Sequence, residues 1–330
     1  MKMKSLIALA LFSGTCALAS AQGGVDTYPV RPVKIVVPFS PASSSDNVAR
    51  VFAEKLSTRL KQPFIVENRA GAGGTIGVGV VAKSTADGYT LLLTTSSPLV
   101  INPLIDKTVS YDVEKDLAPI ALLSSGGLLL VSSPSVPAQN LKELIALIKR
   151  NPGKYSYASN GNGSYSHMAM ELFKQMAGLD LVHVPYKGPA QAETDVISGQ
   201  VTLMFNAVAT GNEQVRANRL RAYGVSSPTP EAVAPQYQPL GNQGIPELKG
   251  FDVVGWSGLL APKAIPPSVA TILASTLREL LADPAFRADM LRRNISLVTA
   301  DGAAQMASQI RRDTAQWASL VKTANIRLDP

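Results

Sequence analysis

Cysteine is almost absent from this chain of 330 residues: Cys16 is the only one, and it falls in the apolar run Leu6 to Leu18 near the N-terminus. Lys2 and Lys4 precede that run and Ala19-Ser20-Ala21 follows it, the pattern of a secretory signal cleaved after Ala21. The run is shorter than the ~20 residues a membrane span needs, and no stop-transfer pattern follows. Ser13-Gly14-Thr15 lacks the leucine of a lipidation site, which argues against acylation of Cys16. The exported chain then has no thiol, excluding a disulfide and a thiolate-bound metal. Histidine is scarce as well: only His167 and His183 occur, without a His-Glu-x-x-His spacing, so no metal is expected.

Charge is present in moderation. The formal net charge is +7, and loss of Lys2 and Lys4 leaves 29 basic against 24 acidic side chains. Arg292-Arg293 and Arg311-Arg312 lie in helical patterns and read as solvated helix faces, so no nucleic-acid partner is expected. The mild excess suits an anionic small molecule. A length of 330 residues exceeds a typical single core and suggests two domains.

The two halves read alike. Val33 to Leu56 and Lys154 to Ala177 each pass from an extended apolar segment through a serine-rich loop into a helix. The first continues through the strand Phe64 to Asn68, a helix to Ala82, a turn at Asp87-Gly88 and the strand Tyr89 to Thr94. The second continues through Leu181 to Pro185, a helix to Ile197, a turn at Ser198-Gly199 and the strand Val201 to Asn206. A third pair joins them: Leu128 to Val131 with the helix Leu141 to Arg150 matches Ser257 to Leu260 with the helix Ser268 to Leu281. Alternating strands and helices predict an α/β fold with a parallel sheet in each of two domains. The expected boundaries are a signal over 1–21, one domain from 22–123 plus 251–330, and another from 124–250, with two crossings between them.

In open α/β sheets ligands bind beyond the carboxyl ends of the strands, where both serine-rich loops lie. Ser40 to Ser45 precede one helix, and Ser159, Asn160, Gly161, Asn162, Gly163 and Ser164 precede the other. The first N–H groups of a helix lack intrahelical partners, so each loop can hold an anion. Asp46 is expected to cap the first helix. Gly161 and Gly163 permit positive φ and close approach of a ligand to the backbone. Ser164 and His167, three residues apart on one helix face, also raise a serine hydrolase, although no acid is placed to orient the imidazole. His183 reads as a hydrogen-bonded core histidine. Gly71 to Gly77 lacks the Lys-Ser/Thr ending of a phosphate loop and reads as helix packing, so no nucleotide cofactor is expected.

Tyr28-Pro29-x-Arg31-Pro32, Val36-Val37-Pro38-Phe39, Glu67-Asn68-Arg69-x-Gly71-Ala72-Gly73-Gly74-x-Ile76-Gly77, Asp87-Gly88-Tyr89-Thr90-Leu91-Leu92, Ser159-x-Gly161-x-Gly163-Ser164-x-x-His167 and Val184-Pro185-Tyr186-Lys187-Gly188 follow in succession. Together they resemble the Bug family, the extracytoplasmic receptors of tripartite tricarboxylate transporters. The resemblance implies a two-domain periplasmic binding-protein fold, type II-like, with two crossover segments and a ligand cleft closing like a Venus flytrap. It implies a monomeric periplasmic receptor, no enzyme, that delivers a small carboxylate to membrane permease subunits. The implied ligand residues are Phe39, Ser40, Ala42, Ser43, Ser44 and Ser45 on one side and Ser159, Asn160, Gly161, Gly163 and Ser164 on the other, with Asn206 as a side wall and Ser96 after the strand Leu91 to Thr95. Two departures stand out: Pro41-Ala42-Ser43 replaces the family's Pro-Gly-Gly, and Asn206 stands where Asp is common. A neutral amide removes a partner for a ligand amine, which favours a dicarboxylate lacking an amino group, with aromatic diacids such as terephthalate in that class. A receptor feeding a signalling sensor would use the same pocket.

Overall fold

The computed structural model describes residues 28–298, 302–324 and 326. The expected signal segment, with Cys16, lies outside them. The first half runs β1 (Val33–Val37), α1 (Ser44–Leu60), β2 (Phe64–Asn68), α2 (Thr75–Ala82), β3 (Thr90–Thr95), the single turns α3 (Ser97–Val100), α4 (Asn102–Ile105) and α5 (Val113–Asp116), and the long β4 (Leu117–Gly126). Then come β5 (Leu128–Ser132), α6 (Leu141–Lys149), β6 (Ser156–Ser159), α7 (Tyr165–Ala177), β7 (Val182–Pro185), α8 (Pro189–Ile197), β8 (Leu203–Ala207), α9 (Val208–Arg216) and β9 (Arg221–Val225). The chain ends with β10 (Gly255–Pro262), α10 (Pro267–Ala282), α11 (Pro284–Arg292) and α12 (Gly302–Ala324).

Two five-stranded sheets result, ordered β2-β1-β3-β10-β4 and β7-β6-β8-β5-β9. The repeat seen in the sequence is a repeat of position. β1, β2 and β3 pair in parallel as β6, β7 and β8 do. β10 and β5, the third matching pair, take equivalent places beside β3 and β8. The expectation of wholly parallel sheets needs correction, because β10 runs antiparallel to β3 and β4, and β5 runs antiparallel to β8 and β9. Both strands enter their sheet straight from a crossing, without the helical return that a parallel neighbour requires.

Local sequence explains the elements that carry the loops. β1, Val-Lys-Ile-Val-Val, is buried at every position except Lys34, as a central parallel strand should be. α1 buries Val48, Ala49, Phe52, Ala53 and Leu56 along one face at helical spacing. α6 does the same with Leu141, Leu144, Ile145 and Ile148, and Asn140 caps it by accepting from the Glu143 N–H at 2.9 Å. α12 packs against β4 of the first sheet and against α7 of the second, so the C-terminal helix touches both domains.

The two crossings are laced together at Ser226, which is wholly buried. Its hydroxyl donates to the Val253 carbonyl at 2.6 Å and accepts from the Leu128 N–H at 2.7 Å. Its backbone donates to the Leu128 carbonyl and accepts from the Val253 N–H. Beside it Gly127 leaves no room for a side chain, since a Cβ there would lie 2.8 Å from the Ser227 nitrogen. The Glu231 carboxylate accepts the Gly127 N–H at 2.6 Å. Ser226→Ala strands a donor and an acceptor at this junction, with an expected loss of about 1–3 kcal/mol read as a lower urea midpoint.

Candidate functional site

A cleft of about 360 Å³ opens at the ends of β3 and β4 and the start of β10, and most of the residues around it bear hydroxyls. Ser44 and Ser45 come from the first turn of α1, Thr95, Ser96 and Ser97 from the end of β3, Ser124 and Ser125 from β4, Ser257 from β10, and Ser296 from the segment after α11. Ser124 and Ser257 share a hydrogen bond at 2.6 Å. Val48, Trp256 and Ile295 supply apolar surface, and Tyr165, the first residue of α7, brings the second domain into the wall. Among the described residues, none that lines the cleft carries a charge at neutral pH.

The first loop is held in an unusual shape. Ala42 has φ of +63°, a left-handed conformation that costs a side-chain-bearing residue about 1–2 kcal/mol. The loop therefore takes at Ala42 a backbone conformation that glycine adopts freely. The buried Asp46 carboxylate enforces it by accepting from the Ala42 N–H at 2.9 Å, from Arg50 at 2.8 Å and from the Asn68 amide at 2.9 Å. Burial opposes the charge on Asp46, but those hydrogen bonds outweigh it and hold the carboxyl below the usual range. Ser43, not Asp46, is the helix cap, its hydroxyl accepting from the Asp46 N–H. Ala42→Gly is expected to raise stability by about 1 kcal/mol, measured by urea denaturation, because the strain it relieves exceeds glycine's entropy cost.

Of the residues expected to bind, Ser44, Ser45 and Ser96 line the cleft. Phe39, Ser40, Ala42 and Ser43 shape the loop above them, with Phe39 half-buried against the α2 entrance at Gly74. Across the cleft the second loop reaches the lining only through Tyr165; Asn160, Gly161, Gly163 and Ser164 lie just before it. Ser159 faces elsewhere: it is wholly buried, and its hydroxyl pairs with His183 Nε2 at 2.6 Å. Asn206 is likewise not part of the lining. Its amide donates to Glu193 and its oxygen accepts from the Ala207 N–H and Thr210. A carboxylate at 206 would face Glu193 directly, so the neutral residue here answers to its protein neighbour.

Thr95, Ser97, Ser124 and Ser125 were not among the expected residues, although each pair follows an apolar run, the signature that marked the first loops. Trp256 and Ser257 give no such signal, because they begin an antiparallel strand whose cleft end is its N-terminal one. The Trp256 indole N–H is fixed by Asp313 of α12 at 2.6 Å.

Ser164 and His167 do not form a nucleophile and base. The Ser164 hydroxyl caps α7 by accepting from the His167 backbone N–H, while the Nδ1 of the His167 ring accepts the Gly163 N–H at 3.0 Å. Burial lowers the pKa of His167, and burial together with the neighbouring His167 pushes His183 down to about 4. The unfolded chain takes up protons near 6.5, so stability is full above about pH 6.5 and falls as the pH drops towards about 4. Melting temperature across that window should decline, and should decline less in His183→Gln.

Two α/β domains, joined by paired crossings and flanking a hydroxyl-lined cleft, define a solute-binding receptor of the periplasmic binding-protein type. Known proteins agree. The chain belongs to the family described as "Tripartite tricarboxylate transporter family receptor", whose model matches residues 48–326. BugT of Bordetella pertussis is 34% identical over 330 residues, covering 99% of this chain and 100% of BugT. A solved R. palustris structure with adipate is similar at TM-score 0.78 and 28% identity, covering 91% of this chain and 99% of that one. MatC from Rhodopseudomonas palustris with bound malate is similar at TM-score 0.73 and 26% identity, covering 89% and 100%. The family is one of receptors, so the chain is a receptor and not an enzyme.

Proposed function

We propose that this receptor captures a dicarboxylate lacking an amino group in the cleft between its domains and delivers it to the permease subunits of a tripartite tricarboxylate transporter. The lining carries the reading: hydroxyls and the first turn of α1 surround the cleft, without a single charged side chain among the described residues. Neutral donors and helix N–H groups hold a carboxylate without burying a fixed countercharge. An ammonium group would find no acid to pair with, so amino acids are disfavoured. Asn206 plays no part in this selectivity, because its amide is spent on Glu193. The similar receptors solved with adipate and malate hold diacids, which supports the class. Between the polar ends, Trp256, Tyr165, Val48 and Ile295 offer flat apolar surface, which favours an aromatic diacid such as terephthalate over a hydroxylated aliphatic one.

Capture proceeds by closure. A ligand seated on Ser44, Ser45 and Ser96 also meets Tyr165 and, as the domains approach, the exposed side-chain amides of Asn160 and Asn162, so it favours the closed state over the open one. The protein acts as a monomer in the periplasm, after cleavage following Ala21. Calorimetry of the 22–330 chain against aliphatic and aromatic mono-, di- and tricarboxylates tests the proposal. Binding of a diacid near ~1 μM, about −8 kcal/mol, is expected. Absence of heat with every carboxylate would reject it.

A further inference from the structure

The two histidines of this chain, 16 residues apart in sequence, lie face to face beneath the second loop. Their rings stack at 4.1 Å between centroids and 7° between planes, and the Tyr157 ring of β6 lies alongside the pair, 4.7 Å from His183 and 6.4 Å from His167. Each imidazole holds one of the loop's two left-handed glycines. His167 Nδ1 accepts the Gly163 N–H at 3.0 Å. His183 Nε2 pairs with the Ser159 hydroxyl at 2.6 Å, and that hydroxyl in turn accepts the Gly161 N–H at 3.2 Å. Gly161 and Gly163 have φ of +109° and +71°, so the loop's path turns on these two positions.

We infer that the stacked pair His167 and His183 braces the second ligand loop, and that protonating the pair releases the loop and weakens ligand capture. The inference rests on the reading of residues 159–164 as a ligand loop. Its chemistry is one of lost acceptors. An imidazolium donates from both nitrogens, so a proton on His167 Nδ1 sets a donor against the Gly163 N–H. A second proton 4.1 Å away is opposed by the first, so the pair titrates as a unit. The charged groups facing the pair are Glu171 and Lys174 of α7, which bond each other at 2.7 Å, and the Glu171 carboxylate also accepts from the Tyr157 hydroxyl of β6. β7, which carries His183, presents Val182, Val184 and Pro185 beside it and no charge. Glu171 is thus already occupied and leaves a proton on the pair poorly compensated. These positioning residues act on the ligand only through the loop.

The test compares the wild-type chain with the double variant His167→Asn, His183→Gln, whose amides keep an acceptor near Nδ1 of 167 and a polar partner for Ser159 but take up no proton. Hydrogen exchange of the peptide spanning 159–164 is followed without ligand, and binding of terephthalate and adipate is followed by calorimetry, both from about pH 7.5 to about pH 3.5. Taking wild type relative to variant at each pH cancels intrinsic exchange rates and protonation of the ligand. Between the two extremes wild-type exchange should accelerate roughly tenfold relative to the variant, and wild-type affinity should fall several-fold, as expected for a site linked to one proton whose midpoint lies within the range. Because the chain holds only these two histidines, their ring proton NMR signals report the titration directly, and the midpoint should coincide with the onset of exchange. A constant ratio across the range overturns the brace. If neither diacid binds at about pH 7.5, the ligand reading fails and the exchange arm still decides on the brace. Should the double variant not fold, His167→Asn alone, which retains the Gly163 acceptor, should flatten the pH response at Gly163; an unaltered response there overturns the inference.

Discussion

Ser44→Asp abolishes carboxylate binding and leaves the protein at least as stable as before. Ser44 is exposed, opens α1 and lines the cleft, so the new carboxylate meets the helix N-terminus where negative charge is favourable by about 0.3–1 kcal/mol. The same charge faces the ligand. Two like charges about 4 Å apart at an effective dielectric near 20 repel by about 4 kcal/mol, roughly a thousandfold in affinity. Stability and binding therefore move in opposite directions, an outcome that misfolding cannot imitate. Ser44→Asn, equally polar and uncharged, should bind within several-fold of wild type. Calorimetry with terephthalate and adipate, paired with a melting curve, reads both quantities. Unchanged affinity in Ser44→Asp would place the ligand carboxylate somewhere other than the first loop.

The second large effect is on the scaffold of the other domain. Phe173, Phe205 and Phe251 are fully buried and meet in a three-ring cluster, with centroids 6.2–6.3 Å apart and Phe173 edge-on to both others. Phe205 lies on β8, Phe173 on α7 and Phe251 on the segment returning to the first domain, so the cluster fastens the second crossing to the domain it leaves. Phe205→Ala removes the ring that contacts both others and leaves a cavity that packed neighbours fill only partly. The expected cost is about 3–5 kcal/mol, a fall of roughly 10 °C in melting temperature. A loss below about 1 kcal/mol would show that the cluster relaxes around the gap and does not fasten the crossing.

Much of this architecture is legible in the residues. The repeated passage from apolar strand through small residues into a helix placed Ser44 and Ser45 at a helix entrance, because side-chain periodicity and capping chemistry act over a few neighbouring positions. Strand direction was less legible. Nothing within Leu128 to Ser132 or Gly255 to Pro262 distinguishes an antiparallel neighbour from a parallel one; that follows from where the chain comes from. The same limit governs the site. Ser159 and Asn206 are expected among the ligand residues from the resemblance, yet His183 and Glu193 claim their side chains, and both partners come from other strands or helices. Tyr165 follows the second loop directly but enters the cleft wall because α7 abuts the returning strand at Gly255, where a Cβ would lie 3.2 Å from the tyrosine ring. Ala42 shows the reverse case: a residue with a side chain gives no sign of a positive φ, and the Asp46 carboxylate that holds it there, through the Ala42 N–H, Arg50 and Asn68, is legible only in the structure.

Carboxylate capture in the hydroxyl-lined cleft is the centre of this account, and a crystal structure of the 22–330 chain grown with terephthalate or the tightest-binding diacid tests it most directly. One ligand carboxylate should lie within about 3 Å of the Ser44 or Ser45 hydroxyl or N–H, with the ligand body against Trp256 and Tyr165 and its other end towards residues 160–164. A diacid bound outside this cleft, or anchored by a charged side chain, would contradict it.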